Sequence, residues 1–288
     1  MTLNLIWNGD SISYGAQLED KSKAFPCLIA NFLQMNLFNY AIGGATSARQ
    51  CGAYERCFCN IEDWKQAQNS NILNPNAMYL VKDNFFAPRP YRLYEMQDGV
   101  WIPGGTASTD TGRTPLVDRI EEMESDADAV GIMIGTNDFY YNWTPFGSID
   151  EGFLSVGKEP SIHTFCGSTH IICRKLLEKY PRTPIFILTP IKRYQTTGIG
   201  RGTWDCRFPE DKNDLGLTLD DYRKAIIEIS AYYSLPVIDL YSLSGLNPHI
   251  DPTYFADKDG KYVHPSACAH EKMARIVVAQ MRSYGLSR

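Results

Sequence analysis

Residues 3–13 read LNLIWNGDSIS. An apolar run of strand length, residues 3–7, breaks at Asn8 and passes through Gly9-Asp10 to Ser11. A short continuous apolar run bounded by turn residues is the signature of a strand buried on both faces. The glycine lets the chain turn sharply, and Ser11 then opens a new segment. The same unit recurs along the chain. Residues 38–42 (FNYAI) precede Gly43-Gly44, and residues 129–134 (AVGIMI) precede Gly135-Thr136-Asn137-Asp138. Residues 185–188 (IFIL) and 236–240 (PVIDL) complete the set. Between them, residues 24–33, 115–123, 165–180, 219–233 and 267–284 carry apolar side chains at three- and four-residue spacing, which predicts helices. Ser266 is placed to cap the last of these. Strands alternating with helices predict a three-layer α/β domain, a five-stranded parallel sheet with helices on both faces.

Residues 51–112 break this rhythm and are long for a connection within such a domain. They read as an insertion in a single domain spanning residues 1–288. Tyr91 to Gln97, then Asp98-Gly99, then Val100-Trp101-Ile102 predict a β-hairpin with Asp-Gly in its turn. Residues 104–112 (GGTASTDTG) read as a loop. The aromatic residues Phe85, Phe86, Tyr91, Tyr94 and Trp101 fit either a cap over a site or a small core of the insertion's own.

Composition excludes several classes. The 288 residues carry 28 Lys+Arg against 33 Asp+Glu, a net charge of −5, with no basic block, which argues against nucleic acid as the main partner. With 44% hydrophobic and 21% charged residues the chain is not disordered. No apolar run reaches the roughly 18 residues that a membrane span needs. The N-terminal MTLNLIW has no basic region of a secretory signal, so a cytoplasmic protein is expected. The eight cysteines are read as free thiols: Cys51, Cys57 and Cys59 cluster without a second pair or a histidine, so zinc spacing is not met. No metal or cofactor is expected.

In an open parallel sheet, ligands meet the carboxyl ends of the strands. There the sequence places Gly9-Asp10-Ser11, Gly43-Gly44 and Gly135-Thr136-Asn137-Asp138, with His264-Pro265 just before the last helix. A serine at a strand-to-helix turn, a glycine whose backbone can approach a ligand, an asparagine amide and a loop histidine are together the parts of an acyl-transfer site. Asp10 and Asp138 read as acids that orient loops. His163, His170, His249 and His270 read as structural. The loop after the first strand has neither G-x-G-x-x-G nor a Walker lysine, so a nucleotide is not the ligand.

The four blocks, in this order, resemble the SGNH (GDSL-type) hydrolases, a family of esterases and acylhydrolases. The resemblance covers the chain from Leu3 to about Ala279 apart from the insertion. It implies a doubly wound, flavodoxin-like fold, Ser11 as nucleophile and His264 as base. It also implies an oxyanion hole made by the Ser11 and Gly44 N–H groups and the Asn137 amide. The family's last block is Asp-x-x-His, which would put the acid at position 261, where this chain has Lys261. Asp259 and Asp257 are the candidates, Asp259 being favoured narrowly, and a Ser-His dyad is the third option. The implied substrate is a small-molecule ester with a short, acetyl-like acyl group, and acylated carbohydrate is one candidate. The alternative is a carbohydrate- or partner-binding module that keeps the fold with weakened catalysis.

Overall fold

In the computed structural model, which describes residues 2–49, 56–58, 61–70, 72–73, 75, 79–82, 91–103, 115–141, 145–195, 210–213, 215–257 and 261–286, the apolar runs form one parallel sheet. The chain begins with β1 (Asn4–Asn8), α1 (Ser11–Tyr14), α2 (Phe25–Leu33) and β2 (Asn36–Asn39). A second group follows: β3 (Arg56–Phe58), α3 (Ile61–Asn69), β4 (Tyr79–Lys82), β5 (Tyr91–Gln97) and β6 (Val100–Pro103). Then come α4 (Leu116–Arg119), β7 (Ala129–Met133), α5 (Thr136–Tyr141), α6 (Phe165–Lys179), β8 (Ile185–Leu188) and β9 (Tyr194–Gln195). The chain ends with α7 (Leu219–Tyr232), β10 (Val237–Ile238), α8 (Leu240–Leu243), β11 (Lys261–Tyr262) and α9 (Ala267–Ser283).

The main sheet has the order β10-β8-β7-β1-β2, with every pair parallel. Chain order reverses between β1 and β7, so the loops after these two strands open into the same crevice. Alternate side chains go to opposite cores. Ile6, Val130, Ile132, Ile185 and Ile187 pack with α4, α6 and α7 on one face. Leu5, Trp7, Met133, Phe186 and Leu188 pack with α2 and α9 on the other. Trp7 is paired with Gly131 across β1 and β7, and a Cβ at Gly131 would stand 2.2 Å from the Trp7 ring. The glycine in this buried strand is therefore the space that the indole fills. Phe25 meets the same ring edge-on at 5.2 Å. The N-terminus of α2 has no side-chain cap of its own; instead, the Phe25 N–H donates to Nδ1 of buried His270 on α9 at 3.1 Å. Burial and the neighbouring His264 and Lys21 push the His270 pKa down to about 3, which keeps this acceptor unprotonated.

The sheet follows the sequence reading with local differences. The second strand is Asn36–Asn39 rather than residues 38–42. It is a largely exposed edge strand, so apolar pattern says little about its bounds, and past Asn39 the Tyr40 and Ile42 N–H groups still donate to the Trp7 and Gly9 carbonyls. In residues 115–123 only Leu116–Arg119 are α-helical; Glu122 and Met123 donate to carbonyls three residues back. Leu116, Val117, Ile120 and Met123 still face the core, which is all that the spacing encoded. Ser266 occupies the N-cap position of α9, but its hydroxyl donates to the Thr253 carbonyl at 3.2 Å instead of accepting from the helix.

The second group of strands forms a separate four-stranded sheet, β3-β4-β5-β6. The expected hairpin is its β5–β6 pair, turned through Asp98 (φ 50°) and Gly99 (φ 79°), both left-handed as a two-residue type I′ turn requires. Trp64 of α3 packs against the rings of Tyr79, Tyr94 and Trp101 with centroids 5.5, 5.1 and 5.4 Å away. Tyr94 and Trp101 thus belong to a small core of this segment. Phe85, Phe86 and residues 104–112 lie outside the described residues, as does the side chain of Tyr91. The segment is rooted beside the turn after β2: Leu116 and Val117 N–H donate to the Thr46 and Ser47 carbonyls, and Arg49 grips Asp118 through Nε and Nη2.

Among the described residues, no helix is long and apolar enough to cross a membrane. Cys27, Cys166, Cys173 and Cys268 are free thiols. Cys51, Cys59 and Cys206 lie outside the described residues, as does the side chain of Cys57.

Candidate active site

Ser11 is the first residue of α1, directly after the turn that ends β1. Asp10 is the N-cap: its Oδ1 accepts from the Ile12 N–H at 2.9 Å, which fixes the turn and aims the Ser11 side chain out of it. Burial raises the Asp10 pKa to about 6, opposed by the Ile12 N–H and by the nearby His264 and Arg193.

His264 reaches Ser11 from the other end of the chain. Its Nε2 lies 3.0 Å from Ser11 Oγ, and its Nδ1 lies 2.7 Å from Oδ1 of Asp257. The second carboxylate oxygen, Oδ2, accepts from the backbone N–H of Val263 at 2.7 Å and from that of His264. Burial alone would raise the Asp257 pKa, but the imidazole and these two N–H donors outweigh it and hold the carboxyl below its ordinary value. The Asp257 side chain is 6% exposed, so the carboxylate works against few competing waters.

The reason Asp257 meets His264 across six intervening residues is a cross-strand register. Phe255 pairs with Pro265 in an antiparallel bridge, Ala256 N–H donates to the His264 carbonyl at 2.8 Å, and Ser266 N–H to the Tyr254 carbonyl at 2.8 Å. Continuing that register by two residues sets Asp257 opposite Val263 and beside His264. Lys261 and Tyr262, which form β11, pair antiparallel with β9. Asp259 lies outside the described residues.

Gly43 and Gly44 turn the chain against the nucleophile: a Cβ at Gly43 would stand 3.6 Å from Ser11 Cβ. Gly44 has φ 75°, a left-handed conformation that a side chain would strain. Asn137, at the start of α5 and 5% exposed, donates from Nδ2 to the Ala45 carbonyl at 2.9 Å, which ties the amide to the same turn. Asp138 clamps the turn further on, accepting from Ser47 N–H at 3.0 Å and Ser47 Oγ at 2.6 Å. Ser11, Gly44, Asn137, Asp257 and His264 therefore share one crevice at the reversal point of the sheet.

Burial lifts the Asp138 pKa to about 6 against the Ser47 donors, from an ordinary value of 3.8. The folded state then holds this proton more tightly than the unfolded chain does between about pH 4 and 6. Its stabilising effect is full below the unfolded pKa and is lost as pH rises through about 6. Wild type should accordingly gain up to about 3 kcal/mol of stability relative to Asp138→Asn as the pH falls from 7 to 4. Urea denaturation of both proteins at several pH values measures this, because Asp10 titrates in both and cancels.

Two buried arginines frame the site, and the sequence carried no sign of them. Arg193, past β8, donates to the Thr136 carbonyl at 3.3 Å and lies over the Tyr140 ring at 4.4 Å. Arg119, at the end of α4, reaches beneath the Ser11 turn. Of the other histidines, His170 bridges the Ile149 carbonyl and the Tyr233 hydroxyl at 2.7 and 3.1 Å.

The doubly wound sheet thus holds a serine, a histidine and a carboxylate hydrogen-bonded in line at its crevice, an arrangement in keeping with the hydrolases of α/β architecture. Residues 83–272 match the GDSL-like Lipase/Acylhydrolase family, and the chain belongs to that family. It is a carboxylic ester hydrolase of the SGNH/GDSL type. The matched stretch includes Asn137 and His264 and begins after Ser11 and Gly44. No curated protein matches the sequence. Solved structures similar in fold include a protein from Lactobacillus plantarum, 18% identical, with a TM-score of 0.64 and 98% of each chain covered. A protein described as a possible lipase from Chitinophaga pinensis is 16% identical, with a TM-score of 0.55, covering 99% of this chain and 100% of that one. A salicylyl-acyltransferase from a tetracycline biosynthetic pathway is 14% identical, with a TM-score of 0.52, covering 99% of this chain and 55% of that one.

Proposed function

We propose that the protein is a serine esterase acting on a small, acetyl-like acyl ester, with Ser11 as nucleophile, His264 as general base and acid, and Asp257 as the carboxylate that orients the imidazole. The observation that carries this reading is the line of hydrogen bonds from Ser11 Oγ through His264 to Asp257. Ser11 Oγ attacks the ester carbonyl carbon as Nε2 takes its proton. The tetrahedral oxyanion is held by the N–H groups of Ser11 and Gly44 and by the Asn137 amide, whose second hydrogen is not used on Ala45. Ser11 N–H is free of an intrahelical acceptor because it opens α1. Collapse of the intermediate expels the alcohol, which receives the proton from Nε2. Water then attacks the acyl-enzyme with His264 as base, releasing the carboxylic acid and restoring Ser11.

A short acyl group fits the burial of the reacting centre, where Ser11 is 6% and Asn137 5% exposed. The alternative of a binding module rested on Lys261 standing where the family has its acid; Asp257 at 2.7 Å from the imidazole favours the enzyme reading over it. Carbohydrate remains the alcohol to test after simple esters, although Tyr94 and Trp101 pack into the insertion's own core rather than offering a sugar platform. Hydrolysis of p-nitrophenyl acetate, butyrate and octanoate should show kcat/KM falling with chain length. Octanoate as the best substrate would overturn the short-acyl assignment. Acetylated sugars would then be compared with p-nitrophenyl acetate for acetate release.

A further inference from the structure

The proposed site exists only while two turns keep their spacing: residues 9–11, which carry Ser11, and residues 40–44, which carry Gly44. Arg119 lies beneath both and is 1% exposed. Its guanidinium donates to the Gly9 carbonyl at 3.1 Å, to the Tyr40 carbonyl and to Asn8 Oδ1. The Gly9 carbonyl also accepts from Ile42 N–H at 3.2 Å, and Asn8 Oδ1 from Gly9 N–H at 2.8 Å. One rigid, planar cation thus joins the last peptide before Asp10-Ser11 to the first peptide of the glycine turn. The helix that bears it is bonded to that same turn further along, through Leu116 and Val117 N–H on Thr46 and Ser47.

We propose that Arg119 is a positioning residue of this esterase site, holding the Ser11 and Gly44 turns at the separation that the oxyanion donors require. The inference rests on the reading of Ser11 and Gly44 given above. Asn8 Oδ1 and the Tyr40 carbonyl face one guanidinium nitrogen and the Gly9 carbonyl faces another, an arrangement that suits a rigid planar fork better than the single nitrogen of an ammonium. Burying a cation costs desolvation, and an apolar side chain would serve the core alone at least as well. The benefit therefore falls on the turns. Oxyanion donors act by being fixed in place before charge develops, so loosening them lowers the chemical step more than substrate binding.

The test compares Arg119→Met, Arg119→Lys and Ile120→Ala with wild type on p-nitrophenyl acetate, below each variant's Tm. Ile120 is buried in the same segment and touches neither turn through its side chain's polar chemistry, so its variant reports general loosening. Arg119→Met should lower kcat by about 100-fold with KM within about twofold, and Arg119→Lys by about tenfold, while Ile120→Ala keeps kcat within about twofold. A kcat for Arg119→Met near that of wild type would overturn the proposal. So would an effect on KM alone, or an equal loss of kcat in Ile120→Ala. If Arg119→Met does not fold, Arg119→Lys decides: full kcat with lysine overturns the proposal, and a lowered kcat at unchanged KM supports it. Ser11→Ala is measured alongside, since activity surviving in that variant breaks the reading of the site itself rather than the role of Arg119.

Discussion

Ser11→Ala is expected to lower kcat on p-nitrophenyl acetate by about 10,000-fold or more, with the fold intact. The alanine removes the proposed nucleophile, the one protein atom that would bond to the acyl carbon in that mechanism. The backbone donors and Asn137 remain and can still polarise a carbonyl for attack by water, which sets the small residual rate. Stability should change little, because the hydroxyl's recorded partner is the His264 imidazole rather than a structural group. His264→Ala should produce a loss of the same order, and the double variant should be no worse than either single one, because the two residues act as a unit. A fluorophosphonate probe gives an independent readout: wild type should be labelled at Ser11, His264→Ala slowly, and Ser11→Ala not at all. Undiminished hydrolysis by Ser11→Ala would remove the proposed nucleophile and the mechanism with it.

The second large effect is expected at the acid. Asp257→Asn should lower kcat by about 1,000-fold or more, whereas Asp259→Asn should stay within about twofold of wild type. The asparagine preserves size but not charge. It no longer favours the imidazolium formed as Ser11 gives up its proton, and its amide can face Nδ1 as a donor, which selects the wrong tautomer. The two N–H donors from Val263 and His264 would still hold one oxygen, so the Phe255–Pro265 pairing should survive and the loss should fall on kcat. Steady-state kinetics of both variants, with thermal unfolding as a control, separates the candidates. A large loss in Asp259→Asn with none in Asp257→Asn would transfer the role to Asp259.

These effects depend on geometry whose parts were legible to different degrees in the chain. Residues 3–7, 129–134 and 185–188 announce buried strands because both faces of each strand are covered, so nearly every position must be apolar. The turns that follow announce themselves through glycine, serine and asparagine, which are local requirements of backbone and chemistry. The edge strand β2 was misplaced because a strand covered on few sides leaves no such constraint on its composition. The aromatic residues of the insertion were ambiguous for a related reason: a ring packs equally well on a neighbour or on a ligand, and only the contacts of Trp64 distinguish them.

The amino-acid sequence by itself determined the sheet, its alternating helices and the positions of Ser11, Gly44, Asn137 and His264, since each of these follows from local periodicity or from a short block beside a strand. Tertiary structure alone decided which carboxylate faces His264. Spacing along the chain favoured Asp259, but the Phe255–Pro265 register brings Asp257 to the imidazole. It also decided that Arg119 lies buried under two turns. Both outcomes depend on partners distant in sequence, and the energy of a hydrogen bond across a fold leaves no periodic trace in either segment that makes it.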